Sequence, residues 1–261
     1  LETLLKLLQG AKVDKIKSLT GMLDLYDDGD NSLLPAKLFY LEEKIKHIFK
    51  SYKLNEIRTP VLEDTNLFIR SVGRASDIVN KEIYSFSDRN DKGIALRPEG
   101  TASVIRSIVE KKLDQSNHKL WYLGPMWRYE RPQKGRYRQF NQAGVEILGI
   151  PEGMPEFEMI SIVCSIIKEF NLENCTIKIN HLGNQKSKES FCNALIDFLE
   201  PHKKLLDEKD NQRLEKNPLR VLDTKNTNTQ EILKNAPSIK EFLDSSSVNL
   251  LNSIKNEFSD I

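Results

Sequence analysis

The stretch GPMWRYERPQKGRYRQF, residues 124–140, gathers Arg128, Arg131, Lys134, Arg136 and Arg138 around one acid, Glu130. An arginine guanidinium is a planar fork that matches phosphate and carboxylate oxygens, so several of them on a rigid support would hold a polyphosphate or a nucleic-acid backbone. Tyr129, Tyr137 and Phe140 add flat faces on which a base could lie. The plain alternative is a solvated loop whose arginines pair with surface carboxylates, each pair worth on the order of 0–1 kcal/mol. A second constellation follows directly. Gln142 and Glu146 stand four residues apart, and in a strand such positions share a face, while Ala143 and Val145 point to the other. An amide and an acid beside an otherwise apolar strand are costly to bury without partners, which argues for a polar pocket.

These side chains need a frame. Tyr122 to Trp127 and Phe140 to Leu148 read as strands, and ERPQKGRYR between them carries Pro, Gly and charge, so the local structure expected is a long hairpin with a basic tip. NEIRTPVLE, KEIYSF, GIALRP and TIKIN are further short runs rich in β-branched or aromatic residues, bounded by turn formers. Helical spacing appears over residues 37–52 (Leu38, Leu41, Ile45, Ile48), 101–112 (Val104, Ile105, Ile108, Val109) and 156–170 (Phe157, Ile160, Cys164, Ile167, Phe170). Grouped strands with occasional helices predict an α+β domain with a largely antiparallel sheet rather than a βαβ repeat. After about Gly183 the texture becomes polar and helical, which predicts a core over 1–183 and a small helical module over 184–261.

Composition narrows the function classes. With 39 Lys+Arg against 38 Asp+Glu, no global field draws the chain to nucleic acid or membrane, so anion binding must come from local clustering. Cys164, Cys175 and Cys192 form neither a paired framework nor a metal site, which suits a reducing, cytoplasmic setting. His47, His118, His181 and His202 lack ligand spacing, and no metal site is expected. No apolar run is long enough to span a bilayer, and the first residue, Leu1 rather than Met, suggests that the natural amino terminus has been removed or lies upstream.

The order of residues says more than their charge. RYERPQKGRYRQFNQAGVEILG resembles the second signature motif of class II aminoacyl-tRNA synthetases, and among these it is most similar to histidyl-tRNA synthetase. EIRTPVLE, with Pro60, resembles the end of the first motif; SDIVNKEIYSFSDRN and LRPEGTA resemble the amino-acid pocket; NPLRVLDTK resembles the inserted helical domain. The resemblance implies a mostly antiparallel class II sheet flanked by helices, and formation of histidyl-adenylate from histidine and ATP before transfer to tRNA(His). It implies Mg2+ as the partner of ATP, and a homodimer with the segment around Pro60 near the interface. By the same resemblance, Arg128 would sit on the α-phosphate and the carboxylate, Glu130 would accept from the adenine amino group, Phe140 would stack on adenine and Arg136 would reach the γ-phosphate. Glu99, with Gly100 and Thr101 closing around it, would receive the ammonium group; Gln142 would bind the amino-acid end and Glu146 an imidazole N–H. Glu99 can equally stabilise the first turn of the following helix, by about 0.3–1 kcal/mol, and the two roles are compatible. Lys134 and Arg138 are open to ATP, the tRNA acceptor end or solvent.

Two departures qualify the resemblance. Thr20-Gly21-Met22-Leu23-Asp24 stands where the family favours an arginine first, and nothing after residue 184 resembles the third motif or an anticodon-binding domain. The expectation is an amino-terminal fragment with little adenylation activity of its own. The alternative reading is the regulatory synthetase-like subunit of ATP phosphoribosyltransferase, against which Arg128, Glu130, Arg136 and Glu99 speak, since such a subunit needs no ATP clamp. A plain RNA-binding module would explain the basic loop but neither Glu99 nor Glu146.

Overall fold

A computed structural model describes residues 17–26, 35–72, 82–131 and 133–259. They fall into two compact units, residues 1–149 and 150–261. Of the stretches read above, SDIVNK and Pro132 lie outside the described residues.

In the first unit, helix α1 (Pro35–Ser51) opens on a proline, whose fixed φ suits a helix start. Only its last turn is buried, through Ile48 and Phe49, and Leu41 of the expected apolar stripe is exposed. Phe49 meets Trp121 at 5.5 Å between ring centroids. Strands β1 (Asn55–Glu56), β5 (His118–Trp127) and β6 (Gln139–Leu148) form one sheet, with β1 parallel to β5. The β5–β6 hairpin is the expected long one, in register from His118 opposite Leu148 to Trp127 opposite Gln139. A second, antiparallel sheet runs in the order β2 (Leu62–Asp64), β4 (Gly93–Leu96), β3 (Ser85–Ser87). Helix α2 (Thr65–Val72) follows β2 directly, and α3 (Thr101–Glu110) follows β4. Val104 and Ile108 of α3 pack on Leu120, Tyr122 and Met126 of β5. Each such side chain, fully buried, contributes about 1.5–3 kcal/mol. Ile105 and Val109, expected on the same stripe, are exposed, because they lie one residue further round the helix than the line that meets the sheet.

The second unit is helical: α4 (Met154–Glu169), α5 (Gln185–Leu199), α6 (Glu208–Lys216), α7 (Thr227–Leu233) and α8 (Ser245–Glu257), with 3-10 turns at Glu200–Leu205, Pro218–Asp223 and Ile239–Glu241. TIKIN, residues 176–180, is not the strand its alternation predicts. No strand lies beside it among the described residues, and alternation alone cannot replace the ladder that a strand requires. Ile177 and Ile179 instead line an open groove with Ile160, Cys164, Ile254 and Phe258. Leu195, Leu199, Leu206, Leu214 and Val221 form a core of their own. We keep residues 184–261 as the proposed extent of the inserted module on that ground, although the compact units divide after Gly149.

Helices α5 to α8 start on side-chain caps: Asn184, Asp207, Asn226 and Asp244 each accept a backbone N–H from their own first turn. Asp244 does more, accepting from Ser247 N and Oγ and from Asn184 N, which ties the starts of α5 and α8 together. These donors, led by the Ser247 hydroxyl, hold its carboxyl at about 2. A depressed folded value means stability present above the unfolded value, about 3.9, and lost as pH falls towards the folded one. Asp244→Asn should therefore lower the urea midpoint at pH 6, and its deficit against the parent should shrink as pH falls from about 4 to about 2.

Candidate active site

One face of the β5–β6 hairpin carries most of the candidate residues. The register sets Met126 opposite Phe140, Gly124 opposite Gln142, Tyr122 opposite Gly144 and Leu120 opposite Glu146, so these eight positions share a face. From Phe140 to Glu146 that face runs about 20 Å at about 3.3 Å per residue.

At its outer end Arg128 donates from Nε to Pro98 O at 2.9 Å, and its guanidinium lies 5.1 Å from the Phe140 ring centroid. The terminal nitrogens of Arg128 are left without a protein partner among the described residues. In the loop, Arg136 Nη1 meets Glu130 Oε2 at 3.2 Å. Arg138 donates from Nε to Glu130 O at 3.1 Å and lies 3.9 Å over the Tyr129 ring. Lys134 is exposed near the tip, where Gln133 and Arg136 close a turn around Gly135, whose φ is 79°.

At the inner end Glu99 accepts from Thr101 N at 2.6 Å and Ala102 N at 2.9 Å, so it caps α3. A carboxylate has about four lone-pair sites, and capacity for a further donor remains. Thr101 Oγ1 donates to Glu146 Oε1 at 2.7 Å, joining the start of α3 to β6. Burial pushes the Glu146 carboxyl up; the Thr101 bond opposes that rise and the Glu99 charge adds to it. The buried Oε1 of Gln142 has no hydrogen-bond partner among the described residues. An orphan acceptor on this face costs on the order of 1–3 kcal/mol until a ligand or water donates to it.

Two contributors are not legible in the sequence. Tyr122 is buried beside Glu99, Thr101 and Glu146, and desolvation raises its phenol pKa. The ring fits because Gly100 and Gly144 lack a Cβ, which would stand 2.3 Å and 2.1 Å from its Cζ. The available signal is the Gly144 that faces Tyr122 across the hairpin. Arg97, also buried, donates from Nε to Pro125 O at 3.1 Å and from Nη1 to Thr59 O at 2.9 Å. Its backbone carbonyl accepts from Trp127 N at 3.0 Å. Arg97 thus straps the segment carrying Glu99 to β5 immediately before Arg128. The expected residues accordingly form two groups: Glu99, Gly100, Thr101 and Glu146 in one, Arg128, Glu130, Arg136 and Phe140 in the other. Gln142 stands between them on the face, and Pro98 links them through the chain.

A long antiparallel hairpin with an arginine fork at its outer end, beside a helix start that meets the same sheet face, is the arrangement expected of a class II aminoacyl-tRNA synthetase. Residues 34–251 match the family model described as histidyl-tRNA synthetase. The chain belongs to the histidyl-tRNA synthetase family. It is 45% identical over 238 residues to the histidine--tRNA ligase of Microcystis aeruginosa, covering 89% of this chain and 56% of that protein. It is 46% identical over 226 residues to that of Francisella philomiragia, covering 84% and 53% respectively. The chain therefore spans about half the length of the curated relatives it matches. Apo histidyl-tRNA synthetase from S. aureus superposes with a TM-score of 0.68 at 32% identity, over 92% of this chain and 55% of that one. A structure described as an ATP phosphoribosyltransferase regulatory subunit/histidyl-tRNA synthetase, from Bacillus halodurans, gives a TM-score of 0.61 at 18% identity, over 95% and 64%. That likeness shows the fold alone.

Proposed function

We propose that this chain carries the adenylating face of a histidine--tRNA ligase, which joins histidine to ATP and then to tRNA(His). The observation that supports this best is the continuity of one hairpin face, with Arg128 and Phe140 at one end, Gln142 between, and Glu146 with Thr101 and Glu99 at the other. Adenylation brings two anions together: a carboxylate oxygen of histidine attacks the α-phosphorus, the bond to the bridging oxygen breaks, and pyrophosphate leaves. A guanidinium held before the reaction begins lowers the cost of concentrating that charge. Arg128 takes this role, its Nε anchored on Pro98 and its terminal nitrogens directed to the α-phosphate and carboxylate. Phe140 stacks on adenine and Glu130 accepts from the adenine amino group. Arg136 turns from Glu130 to the γ-phosphate, a change that costs little because the pair is largely exposed on the arginine side. Glu99 receives the ammonium, Gly100 and Thr101 close around it, Gln142 holds the amino-acid end and Glu146 accepts an imidazole N–H. Lys134 and Arg138 are proposed contacts to tRNA, through phosphates and therefore weakened by salt.

Mg2+ accompanies ATP in this reading. Among the described residues no group of three or more His, Cys, Asp or Glu side chains is placed to hold a metal; the ion would be bound mainly through phosphate oxygens and would supply charge neutralisation there. A homodimer is proposed, with exposed Val61 and Leu62 beside Pro60 in the interface; sedimentation as a monomer at micromolar concentration would exclude it. No helix among the described residues is long and apolar enough to cross a membrane. We place the reaction in the cytoplasm, while noting that a relative from Gracilaria tenuistipitata is a chloroplastic histidine--tRNA ligase.

The deciding experiment is thermal shift with histidine, ATP and both together. A synthetase should be stabilised by the pair beyond either alone, a regulatory subunit by histidine without help from ATP, and an RNA-binding module by neither.

A further inference from the structure

We infer that Gly21 is a positioning residue for the nucleotide end of the site, acting through the backbone of the hairpin. Residues 19–22 form a tight turn closed by Met22 N to Leu19 O at 2.9 Å, with Gly21 in its third position at a φ of 79°. That left-handed value is one glycine adopts freely. The turn directs the Gly21 carbonyl at the edge of β6, where it accepts from Arg138 N at 2.7 Å and Gln139 N at 3.3 Å. On its other side the Arg138 peptide accepts from Arg128 N at 2.9 Å. Gly21, Arg138 and Arg128 are thus three successive rungs of one hydrogen-bonded row. The row extends into the loop, because the Arg138 side chain donates to Glu130 O and lies over Tyr129. The direction in which Arg128 leaves the sheet, and the position of Glu130, both depend on where the Arg138 peptide sits.

The close approach leaves no room for a side chain at this position without a shift of the Arg138 backbone or side chain. A Cβ on Gly21 would stand 2.9 Å from Arg138 Cγ, 3.1 Å from Arg138 N and 3.2 Å from Arg138 Cβ, and a backbone nitrogen cannot swing aside as a flexible side-chain end can. The same geometry bears on the departure at residue 20. Thr20 is exposed, and the turn reaches the hairpin through the carbonyl of its neighbour, so this contact does not depend on the residue-20 side chain.

The inference rests on the proposed ATP site, and the test separates the two. Gly21→Ala and, as a control, Thr20→Ala are compared with the parent for amide hydrogen exchange at Arg138 and Gln139 and for affinity towards ATP with Mg2+ and towards histidine. Gly21→Ala should speed exchange at both amides and weaken ATP about tenfold, while histidine affinity stays within about twofold; Thr20→Ala should change neither. Unchanged exchange in Gly21→Ala would overturn the contact. Faster exchange with unchanged ATP affinity, or an equal loss for ATP and histidine, would overturn the positioning role. A parent chain that binds neither ligand would sink the proposed function instead, with exchange still deciding whether Gly21 holds the hairpin edge.

Discussion

Arg128→Ala should lower histidine-dependent exchange of pyrophosphate into ATP by about 10²–10³-fold, measured in a chain extended to the full length of its relatives. Removal of one donor aimed at developing charge typically has this effect on a transition state. Arg128→Lys should recover little of it, because an ammonium offers a point charge and cannot bridge two oxygens from a fixed plane while anchored at Nε. The fold should survive both changes. Within the protein the Arg128 side chain bonds Pro98 O and stacks on Phe140, and one such hydrogen bond is worth about 0.5–1.5 kcal/mol. A variant that keeps its melting temperature within a few degrees and retains full exchange would remove Arg128 from the chemistry.

Glu146→Gln should weaken histidine about 10- to 100-fold, as loss of a hydrogen bond to a charged acceptor does. It should also remove a pH dependence. Burial raises the Glu146 carboxyl, so the protein takes up this proton at a higher pH than an ordinary carboxylate would. Histidine affinity in the parent should fall as pH drops through that raised value, because a protonated acid offers a poorer acceptor to the imidazole N–H; the glutamine variant should lack this component. The stability effect has the opposite sign. A carboxylate whose folded value is raised favours folding below its unfolded value and loses that contribution as pH rises through the folded one. At neutral pH the glutamate is therefore a burden on the fold that glutamine relieves, with the Thr101 bond kept by the amide oxygen. Calorimetry at pH 7 should find the variant at least as stable as the parent while titration finds it deficient in histidine. Lower stability together with unchanged affinity would contradict both statements.

The hairpin, the tip loop and helix α3 are legible in the sequence because their signals are local. Alternation, a Pro- and Gly-bearing charged turn, and apolar spacing are all set within about ten residues, and the backbone hydrogen bonds they imply are satisfied where expected. TIKIN carries the same alternation and fails as a strand, since a strand is completed by a neighbour that its own residues do not specify.

The site shows the same division more sharply. The residue types suited to holding anions, and the shared face of Gln142 and Glu146, follow from chain order and the two-residue period of a strand. Their closure does not: Thr101 meets Glu146 from 45 positions away, Arg97 reaches Thr59 across 38, and the fit of Tyr122 depends on two glycines in different elements. What the amino-acid order determined by itself was which groups could do chemistry and which short elements carry them. Which groups meet, and which of them answer burial with a shifted proton, was decided only by tertiary packing, because desolvation and hydrogen-bond partnership are properties of a neighbourhood assembled from distant parts of the chain.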